Sequence, residues 1–281
     1  MALHQINCLW VGPRLTSLEQ LCLLSMVRTG HRVRLFGYQR YDNVPAEVEQ
    51  IDAREILPET GIVIHTRRRS PIRGTPAPGA DIFRYRLLER GLGLWADLDL
   101  LLIKPVERTG DYVFGRGLDA TTPVLNGVLD MPKDSKLLRL LLDFVANPYP
   151  VPPFYSLRRR AELVLRKILG IPKGVGDMTS AVLGPELLSY LVVKLDLMQH
   201  ALPAEVFYPL PHRLAQGPFI AGWDVESLIK PNTVAVHLWN DKLRRPTSLR
   251  PDNPSGRLLV DEGSWIKNFA ARELDFDFVG D

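Results

Sequence analysis

The stretch Glu89-Arg90-Gly91-Leu92-Gly93-Leu94-Trp95-Ala96-Asp97-Leu98-Asp99-Leu100-Leu101-Leu102-Ile103-Lys104-Pro105 decides how the rest of the chain is read. It begins as the end of a helix, turns at two glycines and runs on as an apolar strand carrying two carboxylates. Side chains two apart on a strand share a face, so the pattern predicts Asp97 and Asp99 as neighbours in an oily segment. Two like charges buried together are costly unless something neutralises them. A divalent cation does so, and hard cations take carboxylate oxygens. A lone Asp-x-Asp also fits a solvated strand edge, so the surroundings must discriminate.

Working outward, the preceding segment reads as a helix from Asp81 to about Arg90, with Asp81 as its N-cap after Pro78-Gly79. Asp81 and Arg84 are three apart and share a helix face. A guanidinium fork binds phosphate or sugar hydroxyls, and a carboxylate accepts from sugar hydroxyls. Taken alone the two residues read first as an ordinary cap and an exposed arginine.

The whole chain has 281 residues, 46% of them hydrophobic, enough for a sizeable core. Its 35 basic and 32 acidic residues leave a formal charge of +3, which speaks against nucleic acid as a partner. Cys8 and Cys22 sit in apolar segments without metal spacing and read as free thiols suited to a reducing compartment. No leader is visible before the first strand, and no uncharged run reaches membrane-spanning length. The expectation is a cytoplasmic protein, with peripheral contact on the inner face of a membrane left open.

Ile6 to Gly12 reads as a buried strand, Leu18 to Thr29 as a helix stopped by Gly30, and His31 to Tyr38 as a second strand. This strand-helix-strand unit implies parallel pairing and an α/β sheet. Residues 43–78 are loop-rich and include Arg67-Arg68-Arg69. Further strands are expected at Tyr112 to Gly115, Val124 to Leu129, Val206 to Leu210 and Thr233 to Trp239. Helices are expected at Lys136 to Val145, Leu157 to Leu169 and Pro185 to Leu197. Residues 1–245 read as one domain and 246–281 as a tail of uncertain order.

Ala80-Asp81-Ile82-Phe83-Arg84 followed by Gly93-Leu94-Trp95-Ala96-Asp97-Leu98-Asp99 resembles the Asp-x-Asp glycosyltransferases of the GT-A fold. The nearest pattern is the sugar-transfer region of bacterial capsule and lipopolysaccharide transferases, alpha-1,4-glycosyltransferases, yeast initiating mannosyltransferases and clostridial glucosylating toxins. Those proteins carry Ser-Asp-x-x-Arg, then Gly-Gly-x-Tyr-x-Asp-x-Asp. Here Ala80 replaces the serine, Leu92 the first glycine and Trp95 the tyrosine. Leu9-Trp10-Val11-Gly12 resembles the family's first-strand element, in which the indole stacks on the base; Trp10 fits a core tryptophan equally well. His237-Leu238-Trp239-Asn240 resembles its late metal-and-phosphate element. Asn126-Gly127 and Gly176-Asp177 resemble less specific positions that touch sugar or acceptor.

The resemblance implies a GT-A, Rossmann-like fold with a mixed, mainly parallel sheet flanked by helices. It implies transfer of a sugar from a UDP- or GDP-sugar to a glycan or lipid-linked acceptor, with retention, aided by Mn²⁺ or Mg²⁺. Asp99 would be the principal metal ligand and His237 a second. Asp97 would hold ribose or sugar, and Asp81 and Arg84 the sugar hydroxyls. Trp10, Trp95, Asn126, Asp177, Trp239 and Asn240 would line the donor site. The catalytic set would be Asp97, Asp99 and Arg84. Two rivals stand beside this reading. An Asp-x-Asp phosphatase wants Thr or Val where Leu101 stands, and a second acid where Ala181 stands. A nucleotide-sugar or glycan-binding module without turnover would retain the same residues. The helix over 157–169, with Arg158, Arg159, Arg160, Arg166 and Lys167, reads as a solvated face or as a contact for an anionic bilayer.

Overall fold

The structure, a computed structural model, describes residues 3–68, 70, 72–108, 110–118, 122–253 and 256–280. Its regular elements in chain order are β1 (Ile6–Trp10), α1 (Ser17–Arg28), β2 (Val33–Gly37), β3 (Glu49–Asp52), α2 (Ala77–Glu89), β4 (Leu94–Ala96), β5 (Leu100–Leu102), β6 (Val113–Arg116), β7 (Val124–Asp130), α3 (Lys136–Val145), α4 (Leu157–Ile168), α5 (Pro185–Lys194), α6 (Ala204–Phe207), β8 (Ala235–His237), α7 (Asn240–Leu243) and α8 (Trp265–Leu274). Six strands form one mainly parallel sheet in the order β3-β2-β1-β4-β7-β6, and β5 and β8 form a separate pair. This is the helix-flanked, Rossmann-like α/β architecture expected from the sequence.

The chain divides into two compact units. The first comprises Met1–Asp52, Ala96–Gly110 and Pro203–Asp281. Here β1 pairs with β2 in parallel and β2 with β3. Helix α1 starts on a capping box: the Thr16 N–H and Oγ1 donate to Glu19 Oε2 at 2.7 and 2.6 Å. Its apolar face (Leu18, Leu21 and Cys22) packs with Leu101, Val236 and Leu238. Residues 246–281 add to that core: Ile266, Ala270 and Leu274 of α8 are buried in it, with Phe278 just beyond. Cys8 and Cys22 are both free and buried.

The second unit comprises Ala53–Trp95 and Asp111–Leu202. Strands β6 and β7 pair antiparallel, β7 lies beside α5, and α3 packs against α2 and α5. Helix α3 has the expected bounds because Ser135 caps it, its Oγ accepting from the Leu138 N–H at 3.1 Å. After α2, Gly91 and Gly93 have φ of +66° and +106°. Only glycine takes such angles without strain, so the two glycines set the sharp exit into β4.

Four expectations change. Helix α2 begins at Ala77, after Pro76, so Asp81 lies in its second turn and is no N-cap. The strand expected across Asp97 and Asp99 is two short strands with a turn between them. The strand expected at Val206 to Leu210 is the helical turn α6. Edge strand β3 falls in the segment read as loop, and Arg69 of that segment's basic run lies outside the described residues.

Candidate functional site

In the first unit, the two carboxylates stand where the chain leaves β4. The Leu100 N–H donates to the Asp97 carbonyl at 3.2 Å, closing a turn over 97–100. It is this turn, and not a strand pleat, that brings Asp97 and Asp99 together. Antiparallel pairing of β5 with β8 sets Leu100 opposite His237, which delivers an imidazole from far along the chain. His237 Nε2 lies 3.2 Å from Asp99 Oδ1 and 3.9 Å from Asp97 Oδ2. One ligand atom from each of the three residues lies within 4.8 Å of the others.

The cluster is rigidly backed. Trp239 takes a left-handed conformation, φ 56° and ψ 55°, unusual for a bulky residue. That bend turns the Asn240 N–H onto Asp99 Oδ2 at 2.8 Å, while the Leu238 N–H donates to the Asp99 carbonyl at 2.8 Å. The Trp239 Nε1–H donates to the Leu210 carbonyl at 2.8 Å. Its ring meets His237 edge-on with centroids 4.3 Å apart, and Tyr208 lies 5.5 Å from His237. The imidazole is thus wedged between two aromatic rings, aimed at the carboxylates, and its Nδ1 is buried without a hydrogen-bond partner.

A further layer went unread in the sequence. Buried Glu19 accepts from Asn240 Nδ2 at 3.1 Å, and Arg244 reaches Asn240 Oδ1 and Thr16 Oγ1 at 3.4 and 3.3 Å. Burial raises the Glu19 pKa, against the lowering effect of Thr16 and Arg244. The signal for this residue was present in Thr16-Ser17-Leu18-Glu19, a capping-box pattern. Trp10 ends β1, half-buried, its indole against Gly12 and its Nε1–H buried without a partner.

In the second unit, another set of expected residues comes together. Asp81 and Arg84 are each 5% exposed, with Arg84 Nη2 3.4 Å from Asp81 Oδ1. Arg84 Nη1 donates to the Asn126 carbonyl, and Asn126 Nδ2 donates to Asp81 Oδ1 at 2.9 Å. The guanidinium carbon lies 4.8 Å over the Trp95 ring. The backbone of Gly184 closes the cluster from above: a Cβ there would stand 2.8 Å from both Asp81 oxygens. Asp177 stands elsewhere, its carboxylate accepting from Thr66 Oγ1 at 2.7 Å. An open cavity of about 690 Å³ in this unit, lined in part by Phe154, Tyr155, Glu186 and Tyr190, holds none of the residues read as donor or metal contacts.

Among known proteins, the chain matches no family model and no curated sequence. It is similar to the solved structure of the PaToxG glycosyltransferase, at 14% identity and a TM-score of 0.42, over 68% of each chain. Likeness at that level carries no functional weight, so the geometry above has to carry the reading.

Two carboxylates and one imidazole form a hard-to-borderline donor set that could hold a divalent metal ion. Proton affinities fit as well. Burial raises the Asp99 pKa; His237 opposes this, and Asp97 adds to it. Burial lowers the His237 pKa, but the Asp99 and Asp97 carboxylates more than offset that, and it rises above 6.5. Both groups bind protons more tightly when folded than when unfolded. The metal-free protein should therefore lose stability as pH rises through these folded-state values. A cation must displace the same protons, so Mn²⁺ affinity should strengthen with pH, by up to roughly tenfold per unit for each proton displaced. Calorimetric titration with Mn²⁺ from mildly acidic to mildly alkaline pH measures this. A flat affinity across that range would remove His237 and Asp99 as ligands.

Proposed function

We propose that the chain is a metal-dependent glycosyltransferase that moves a sugar from a UDP- or GDP-sugar to a hydroxyl of a glycan or lipid-linked acceptor, with retention of configuration. The observation that carries this reading is the Asp97–Asp99–His237 cluster, held on a turn and across the β5–β8 pair. Mn²⁺ or Mg²⁺ held there would act as a Lewis acid toward the diphosphate charge that grows as the glycosidic bond breaks.

The chain's own groups do the rest. Asp99 keeps Oδ2 on the Asn240 amide, leaving Oδ1 directed toward the ligand position beside His237. Asp97 is the more exposed of the two carboxylates and takes the ribose or sugar hydroxyls. Trp239 and Tyr208 fix the plane of the His237 ring. Trp10, with its unpartnered indole N–H, offers a flat face to the base. The sugar-gripping role read for Asp81 and Arg84 sits less easily with a pair that is closed over by Gly184 and satisfied by Asn126. These residues are better assigned to positioning Trp95. Paired internally, Asp81 and Arg84 no longer count against a nucleotide-sugar-binding module without turnover, which stays as the second reading.

A panel of UDP- and GDP-sugars, with and without Mn²⁺, separates the two. A donor should raise the melting temperature by mass action only when metal is present, and a transferase should release nucleotide. Trp10→Ala should weaken that donor by about 1–3 kcal/mol, the range for base stacking on an aromatic ring. Binding without metal-dependent release would favour the module. No shift with any donor would sink both readings.

A further inference from the structure

Helix α4 turns its apolar side outward. Leu157, Ala161, Val164, Leu165 and Ile168 fall at the spacing of a single helical stripe. In a globular helix that stripe faces the core. Here Leu157 is 80% and Ile168 75% exposed, Val164 and Leu165 are exposed beside them, and Leu163 is the residue of α4 that is buried. Leu169 and Ile171 continue the exposed apolar surface past the helix end. Cations border it: Arg158 on one flank, Arg160 and Lys167 on the other. The helix carries five cations (Arg158, Arg159, Arg160, Arg166, Lys167) against one acid, Glu162. The sequence alone left this segment between a solvated face and a membrane contact. A solvated face does not explain a continuous apolar stripe.

We propose that α4 docks the protein on an anionic lipid bilayer, with the Leu157–Ile168 stripe below the headgroups and the flanking arginines at phosphate level. The observation behind this is charge complementarity. Low overall hydrophobicity, a one-sided apolar stripe and bordering Lys/Arg are the features of a helix lying in the interface plane. Long cationic side chains snorkel from such a stripe to the phosphates. A second copy of the chain fits worse, because pairing two stripes would set the Arg158 and Arg160 rows against each other. The proposal is independent of the sugar-transfer reading.

Flotation of the full chain with phosphatidylcholine vesicles, with and without phosphatidylglycerol, tests it. Binding should require the anionic lipid and fall as salt rises. Leu165→Glu with Ile168→Glu should lower partitioning at least about tenfold, and Arg158→Glu with Arg160→Glu should do the same. These positions are exposed, so both variants should melt with the wild type. Failure to bind anionic vesicles would overturn the proposal, as would binding that neither variant weakens. A dimer seen by light scattering and abolished by Ile168→Glu, without vesicle binding, would assign the stripe to a second copy instead.

Discussion

Asp99→Asn is expected to lower metal-dependent turnover at least about a hundredfold, the scale of the several kcal/mol a Lewis acid supplies. The change keeps the shape of the side chain. An amide oxygen still accepts from the Asn240 N–H, now at 2.8 Å from Asp99 Oδ2, so the turn and the β5–β8 pairing should survive. What disappears is one negative charge from a three-ligand set whose His237 nitrogen lies 3.2 Å away. Mn²⁺ should then no longer raise the melting temperature, while circular dichroism stays that of the wild type. Two results would remove the metal from the reading: a variant with near-normal turnover, or wild-type turnover that persists in chelator.

Arg84→Ala is expected to act on folding. It removes the guanidinium that faces the buried Asp81 carboxylate, and breaking one side of a buried ion pair costs about 3–5 kcal/mol. The melting temperature should fall by on the order of 10 °C. The asymmetry of buried pairs supplies a sharper test, because removing both partners costs less than removing one. Asp81→Asn combined with Arg84→Leu should therefore melt above Arg84→Ala alone. If Arg84→Ala melts like the wild type and weakens nucleotide sugar while sparing nucleotide, Arg84 contacts the sugar after all, as its motif implies.

Much of the fold was legible because its signals are local. The strands at Ile6–Trp10 and Val33–Gly37 and the helix between them follow from apolar periodicity and a terminating glycine. Lys136–Val145 was readable to the residue because its stripe and its serine cap agree. The edge strand Glu49-Gln50-Ile51-Asp52 has no such stripe; it is a strand because Val33–Gly37 offers it a free edge to pair with. The last helix was obscured by the polar, proline-bearing segment before it. Its place was settled by Ile266, Ala270 and Phe278 finding a shared core with α1.

The candidate site divides in the same way. Residue types and spacing single out Asp97 and Asp99, since adjacent carboxylates in an apolar context call for neutralisation wherever they fold; His237 is marked only by the resemblance of His237-Leu238-Trp239-Asn240 to a family element. How they meet was decided by tertiary structure: a tight turn in place of a pleat, an antiparallel pairing between segments far apart in the chain, and a left-handed Trp239 that turns an amide onto Asp99. Sequence likewise set Asp81 and Arg84 on one helix face. Whether that face meets a ligand or the protein interior depends on what packs over it, and Asn126 and Gly184 close it. The stripe of α4 is the converse case. Its amphipathic pattern is written in the sequence, but which way an amphipathic helix turns depends on the surface beneath it, and here only Leu163 meets the core while the stripe faces out.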